Sequence, residues 1–217
     1  MSARFAAYVA HELRTPLAMQ RALLELTLAD PTAGAPAWRE VGESVLRACA
    51  HQERLLEACL TLARTQCGPQ RRERLDLAHV AEQALRDHDA SDLDRVVALR
   101  PALTKADRGL VERLVANLVS NAIRHNVRPG RIEIATRTIP GRAVVSVANT
   151  GPLIAGGDVQ RLFQPFQRLG LNPRTFDDGV GLGLAIVRAI ADAHGATVSA
   201  QARTAGGLGV DVAFPAI

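Results

Sequence analysis

Phe5-Ala6-Ala7-Tyr8-Val9-Ala10-His11-Glu12-Leu13-Arg14-Thr15-Pro16-Leu17 opens a long helical pattern in which Leu13, Leu17, Leu24 and Leu28 recur at intervals of four, seven and four. Pro31, Gly34 and Pro36 break that pattern, so a first helix is expected over about residues 2–30. A second is expected from about Ala37 to Gln66, with Val41, Val45, Cys49, Gln52, Leu56, Cys59 and Ala63 spaced three or four apart. Gly68-Pro69 ends it. Two such helices joined by a short Pro/Gly loop form an antiparallel hairpin. One hairpin covers only half of an apolar stripe, so pairing with a second copy into a four-helix bundle is expected, and with it a homodimer.

The chain has 217 residues, 47% of them apolar and only 3% aromatic, so its core is aliphatic. That profile suits helices and α/β layers better than an all-β sandwich. The formal charge of +4 comes from scattered arginines. Only Arg71, Arg72 and Arg74 cluster, without interleaved aromatics, and they read as a solvated linker rather than a nucleic-acid contact. Cys49, Cys59 and Cys67 lack metal-ligand spacing and fit small, buried or half-buried residues in a reducing compartment. No apolar run approaches the roughly 18 residues needed to span a bilayer, and Arg4 and His11 interrupt the apolar residues at the start. The expectation is a cytoplasmic portion of a longer protein, reaching a membrane only through a segment absent from this chain.

After about residue 70 the pattern changes to alternating helices and strands. Helices are expected at Leu77–Arg86, Lys105–Asn126 and Gly183–His194. Strands are expected at Arg131–Arg137, Ala143–Ala148, Thr197–Ala202 and Val210–Phe214. This order implies a two-layer α/β sandwich with a mixed sheet. The domain plan is therefore a helical hairpin over residues 1–69, a linker over 70–75 and an α/β domain over 76–217.

Three groups of residues carry chemistry. His11 offers a nitrogen that is neutral and nucleophilic near physiological pH, and Glu12 beside it is placed to fix the tautomer through the other nitrogen. Arg14 and Thr15 follow on roughly the same face, and Pro16 removes a backbone donor, which is expected to leave His11 beside an irregular turn. His51, His79, His88 and His194 read as structural. In the run Asn117-Leu118-Val119-Ser120-Asn121-Ala122-Ile123-Arg124-His125-Asn126, Asn117, Asn121 and Arg124 fall on one helical stripe. Two amide oxygens and a guanidinium so arranged suit a magnesium-bound triphosphate, with Asn117 and Asn121 as the metal ligands. In Gly179-Val180-Gly181-Leu182-Gly183-Leu184-Ala185-Ile186 the glycines allow close approach of backbone amides to phosphate, and Gly183 opens a helix whose N-terminus favours anions. Gly206-Gly207 reads as a hairpin turn.

Taken in order, these strings resemble sensor histidine kinases of two-component systems, over nearly the whole chain. His11–Leu17 resembles the histidine box, and Asn117–Asn126 the N box shared with gyrase, Hsp90 and MutL ATPases. Asn149-Thr150-Gly151-Pro152 is similar to the first glycine box, Phe163–Arg168 to the F box, and Gly179–Ile186 to the second glycine box. The resemblance implies a Bergerat-type ATP-binding fold after the hairpin, with ATP and Mg2+ as cofactors. It further implies autophosphorylation of His11 assisted by Glu12, and phosphotransfer to an aspartate in the receiver domain of a response regulator. Thr15 occupies the position that orients water for hydrolysis of the phosphorylated regulator. The nucleotide contacts implied are Asn117, Asn121, Arg124, His125, Asn149, Gly151, Phe166, Arg168, Gly179, Gly181, Gly183 and Leu184, and Gly170–Asp178 would be the lid.

Two departures stand out. Asn149 replaces the usual Asp that accepts a hydrogen bond from the adenine amino group, and Leu153 replaces a common second glycine. The Asn-Thr-Gly-Pro string is similar to a variant of actinobacterial members. A neutral bond is weaker than a charge-assisted one, which keeps a phosphatase-biased or inactive signalling scaffold open; a clamp-type ATPase of the same superfamily is a separate alternative, against which the His11 box stands.

Overall fold

The computed structural model describes residues 3–66, 68–69, 71–167 and 181–217. The chain falls into two compact units, one ending at Leu60 and the other beginning at Thr61.

In the first unit, α1 (Ala3–Ala29) and α2 (which begins at Ala35 and runs on to Gln66) are joined by a short turn. Asp30 accepts at Oδ1 from the Thr32 backbone N–H at 2.8 Å and from its hydroxyl at 2.6 Å, which closes the turn before Pro36. The bonds hold the Asp30 carboxyl below the usual carboxylate range. The seam between the helices is not the one that the leucine spacing predicts. On α1 the shielded positions are Val9, Leu13, Pro16, Gln20, Leu23 and Thr27. On α2 the buried positions are Ala48, His51, Leu55 and Ala58, and the expected Val41, Val45, Cys49, Gln52 and Cys59 are half-buried beside them. Both sets follow the alternating three-and-four spacing of knobs packing into holes. Leu17, Leu28 and Leu56 are instead 55%, 72% and 50% exposed. Apolar residues occupy more than one face of each helix, so spacing alone cannot tell the internal seam from its neighbours. Small and polar residues fill that seam: the amide of Gln20 donates to Val45 O at 3.4 Å, and that of Gln52 to Leu13 O at 3.4 Å.

The second unit carries a sheet of order β2-β4-β5-β7-β6. Its strands are β2 (Asp94–Leu99), β4 (Arg131–Ile139), β5 (Arg142–Asn149), β6 (Thr197–Ala202) and β7 (Leu208–Pro215). β2 runs parallel to β4 and the other pairings are antiparallel, so the sheet is mixed as expected. Ile132, Ile134, Val145, Val147, Val210, Val212 and Phe214 are buried on one face. Leu114, Val115 and Leu118 of α4 (Arg108–Arg124) and Ile186 and Ile190 of α5 (Gly183–Ala193) complete that core, with α3 (Leu77–Asp87) beside them. The opposite face carries ion pairs, Arg137 to Asp211 at 3.0 Å and Arg203 to Glu133 at 2.9 Å. The result is a two-layer α/β sandwich.

Three strands are new relative to the sequence reading. β2 is exposed along most of its length and shows no inward-outward alternation. β1 (Glu73–Asp76) pairs with β3 (Leu103–Ala106), so strand occupies the end of the segment expected as linker and the start expected for the helix at Lys105. Asp76 and Asp107 end these strands and cap the following helices, accepting from Ala78 N at 3.0 Å and Leu110 N at 3.1 Å.

His194 ties the end of α5 to the start of α4. Its Nδ1 lies 2.8 Å from Ile190 O, and its Nε2 accepts from Asp107 N at 3.0 Å, which fixes the neutral Nδ1–H tautomer. Desolvation is the main cause that pushes this imidazole below its ordinary value of 6.5. The folded state therefore binds fewer protons than the unfolded state near that pH. The stability tied to neutral His194 is complete above pH 6.5 and is lost as pH falls through the depressed folded value, with a slope of at most about 1.4 kcal/mol per pH unit for one proton. Urea unfolding between pH 7.5 and 5.5 should show a flatter pH dependence in His194→Gln than in the parent chain. Equal slopes would remove His194 as the group responsible.

Candidate functional site

His11 is exposed on α1, Glu12 is half-buried, and the Thr15 hydroxyl donates to the His11 carbonyl at 3.2 Å. Thr15 thus makes the back-bond to the preceding turn that is common for hydroxyls inside helices. Pro16 is buried and removes the donor that Glu12 O would meet in a regular helix. α1 nevertheless runs unbroken through it, so the irregular turn expected beside His11 is not present.

The other sequence-predicted residues lie in the second unit, in two clusters. Asn117 and Asn121 stand half-buried on α4, one turn apart, and Arg124 is exposed at its last turn. Asn117 spends its Nδ2 on Arg113 O at 2.7 Å, which leaves Oδ1 free to face a ligand. Gly183, the first residue of α5, sits against them. A Cβ built there would lie 3.1 Å from both terminal atoms of the Asn121 amide and 3.4 Å from Asn117 Oδ1. Two carboxamides therefore meet the positive end of a helix dipole, a combination that serves a hard cation and a phosphate together. Among the described residues no group of three or more His, Cys, Asp and Glu gathers, so amide oxygens are the cation ligands on offer here. The donor set fits magnesium held chiefly through phosphates.

Gly181 has φ +69° and its carbonyl accepts from Phe166 N at 2.8 Å; Phe166 itself has φ +65°. This bond joins the Phe163–Gln167 segment to the glycine stretch. Phe163 is buried beneath the guanidinium of Arg188, 4.9 Å above its ring. Leu184 is half-buried in the first turn of α5. Arg168, Gly179 and the expected lid Gly170–Asp178 lie outside the described residues.

The second cluster surrounds Asn149, 7% exposed at the end of β5. Its Nδ2 donates to Thr150 O at 2.7 Å and to His125 O at 3.4 Å. Both hydrogens of the amide are engaged, and Oδ1 is the atom left to accept from a ligand. Gly151 permits the close approach, since a Cβ there would come within 2.7 Å of His125 O. A nearly buried acceptor of this kind fits the amino edge of adenine.

Two features escaped the sequence reading. Thr150 and Asn126 form a hydroxyl–amide bridge at 2.6 Å between β5 and the end of α4. Gly206 and Gly207, with φ +92° and +100°, do turn between β6 and β7 as expected, and also pack directly on the Asn149–Pro152 backbone. The positive-φ preference is legible in a Gly-Gly pair; the close approach is tertiary and leaves no local signal.

Comparison with known proteins agrees with this geometry. Residues 106–216 match the family described as histidine kinase-, DNA gyrase B-, and HSP90-like ATPase. Residues 1–68 match the His Kinase A (phospho-acceptor) domain. The sensor protein CutS of Streptomyces coelicolor is 43% identical over 218 residues, covering 98% of this chain and 52% of CutS. The chain thus spans about half the length of these curated relatives. A mycobacterial sensor histidine kinase, MprB, superposes with a TM-score of 0.59 at 26% identity, over 67% of this chain and 97% of the other. The Acinetobacter baumannii histidine kinase AdeS superposes with a TM-score of 0.72 over 95% of this chain and 98% of the other, and at 23% identity it shows the shared fold alone.

Proposed function

Since the chain belongs to the sensor histidine kinase family, its phospho-acceptor domain joined to a histidine-kinase-type ATPase domain, we propose that it phosphorylates His11 with ATP and passes the phosphoryl group to an aspartate in a response-regulator receiver domain. The observation that carries this reading is the convergence of Asn117, Asn121 and Gly183 on one point of the ATPase domain. The domain plan proposed is the hairpin over residues 1–69 followed by the catalytic domain, with the linker expected over 70–75 shortened at its end by β1, which pairs with β3 from Glu73 onward.

Neutral His11 attacks the γ-phosphorus through Nε2, and the bond from that phosphorus to the β,γ-bridging oxygen breaks as ADP leaves. Glu12 stabilises the proton that stays on Nδ1 while positive charge builds on the ring. Magnesium, when bound, neutralises phosphate charge, and Asn117 and Asn121 are its protein ligands. Arg124, His125 and Arg168 line the phosphates. Gly179, Gly181, Gly183 and Leu184 form the backbone cradle. Asn149 Oδ1 reads the adenine amino group, with Gly151 and Phe166 shaping the pocket. Thr15 orients the water that hydrolyses the phosphorylated regulator. Among the described residues no helix is long and apolar enough to cross a membrane. A cytoplasmic position beside a membrane-anchored sensory part is the placement that the longer sensor-protein relatives support.

Incubation with γ-labelled ATP and magnesium tests the reading: acid-labile, alkali-stable label on the chain is expected. ATP binding without label would favour a phosphatase-biased scaffold, and turnover of ATP without label would favour a clamp-type ATPase.

The reading also includes a homodimer. Leu46, Leu56 and Leu60 are 70%, 50% and 59% exposed on α2, and Leu17 and Leu28 are exposed on α1, a surface that a second hairpin would cover. Burying one leucine stabilises by about 1.5–3 kcal/mol, and two-fold symmetry counts each substitution twice. Leu56→Glu should therefore raise the dimer dissociation constant at least about a hundredfold by analytical ultracentrifugation. An unchanged constant would move the interface elsewhere.

A further inference from the structure

The geometry points to Thr150 and Asn126 as positioning residues that aim Asn149 at the base and so set how strongly this chain prefers adenine. This rests on the reading of Asn149 as the adenine acceptor. The Thr150 hydroxyl donates to Asn126 Oδ1 at 2.6 Å and accepts from Arg131 N at 2.7 Å. Asn126 holds its own place by donating from Nδ2 to Ala122 O and Arg131 O, both at 3.0 Å, and by accepting from Val127 N at 3.0 Å. The backbone N–H of Thr150 adds a bond to Arg131 O at 3.0 Å.

Three elements meet at this bridge: the end of α4, the first residue of β4 and the residue after β5. The two flanking carbonyls that fix the Asn149 amide, His125 O and Thr150 O, belong to the residues next to Asn126 and to Thr150 itself. Any shift of the bridge therefore moves the acceptors of the Nδ2 hydrogens and turns Oδ1 away from its line. Neither side chain needs to touch nucleotide. Their effect passes through the orientation of one amide, which is why it should appear in base selectivity more than in phosphate binding.

The test compares calorimetric affinities of the full chain for ATP and ITP, which differ where the purine carries an amino group or an oxygen. Thr150→Val keeps the β-branched shape and removes the hydroxyl, and Thr150→Ser keeps the hydroxyl. Measured below its unfolding midpoint, Thr150→Val should lose about tenfold in ATP affinity and little in ITP affinity, the size expected from misaligning one hydrogen bond. Thr150→Ser should restore the ATP preference. Asn149→Ala serves as the reference for the underlying reading. If Asn149→Ala abolishes the ATP preference and Thr150→Val retains it in full, the bridge is structural only and the proposal fails. A uniform loss for both nucleotides in Thr150→Val also overturns it. Retention of the preference in Asn149→Ala would overturn the adenine reading, and the role of the bridge with it.

Discussion

His11→Gln is expected to reduce label incorporation from γ-labelled ATP to background, a loss of at least about a thousandfold, because it removes the attacking nitrogen and not an auxiliary group. The same variant should bind ATP within about twofold of the parent chain, since the nucleotide contacts proposed all lie on other elements. His11 is exposed, and Gln is a good helix former, so the fold should survive the change. Both halves of the result matter. Retained label would mean that another side chain accepts the phosphoryl group. Lost label together with lost binding would point to a damaged fold and would not count for the assignment.

The second large effect belongs to Gly207. Its φ of +100° lies in a region that L side chains rarely adopt, and a Cβ there would stand 1.9 Å from Asn149 O. The clashing atom is backbone of a strand paired on both sides, so it has little room to retreat. Gly207 N also donates to Pro152 O at 2.9 Å, which stitches the turn to the glycine loop after β5. Gly207→Ala should therefore cost about 3 kcal/mol or more, near the upper end for a single substitution. For a unit of this size that lowers the unfolding midpoint by about 6–12 °C. Below that midpoint, nucleotide affinity should fall as well, because relieving the clash displaces Asn149. A midpoint and an affinity both close to the parent values would show that the turn is not seated as described.

Legibility in the sequence followed how local each signal was. β4 through β7 showed themselves because one face is buried and the other polar, so side chains alternate. β2 did not, because an edge strand exposed on both faces has no alternation to display. β1 and β3 are four residues each, too short for a period to register. The two long helices were plain, yet the most buried positions on α2 each fall one residue before Cys49, Gln52, Leu56 and Cys59 of the expected stripe, which except for Leu56 are half-buried. There Ala48, His51 and Ala58 pack inward while Leu56 does not, and side-chain size proved a poor guide to which face meets which. In the candidate site, Asn117, Asn121 and Gly183 could be read because residue type and helical spacing carry the meaning. The Thr150–Asn126 bridge and the seat of Gly207 depend on chain segments far apart in sequence, and no local pattern announces them.

Asn149 meets a main chain that selects for a side chain carrying hydrogens. Its two amide hydrogens face the carbonyls of His125 and Thr150. An aspartate here would bring a carboxylate, with no hydrogen to offer, against both oxygens. The main chain around Asn149 is thus matched to a side chain that donates and accepts at once, and Asn149→Asp would lose both bonds.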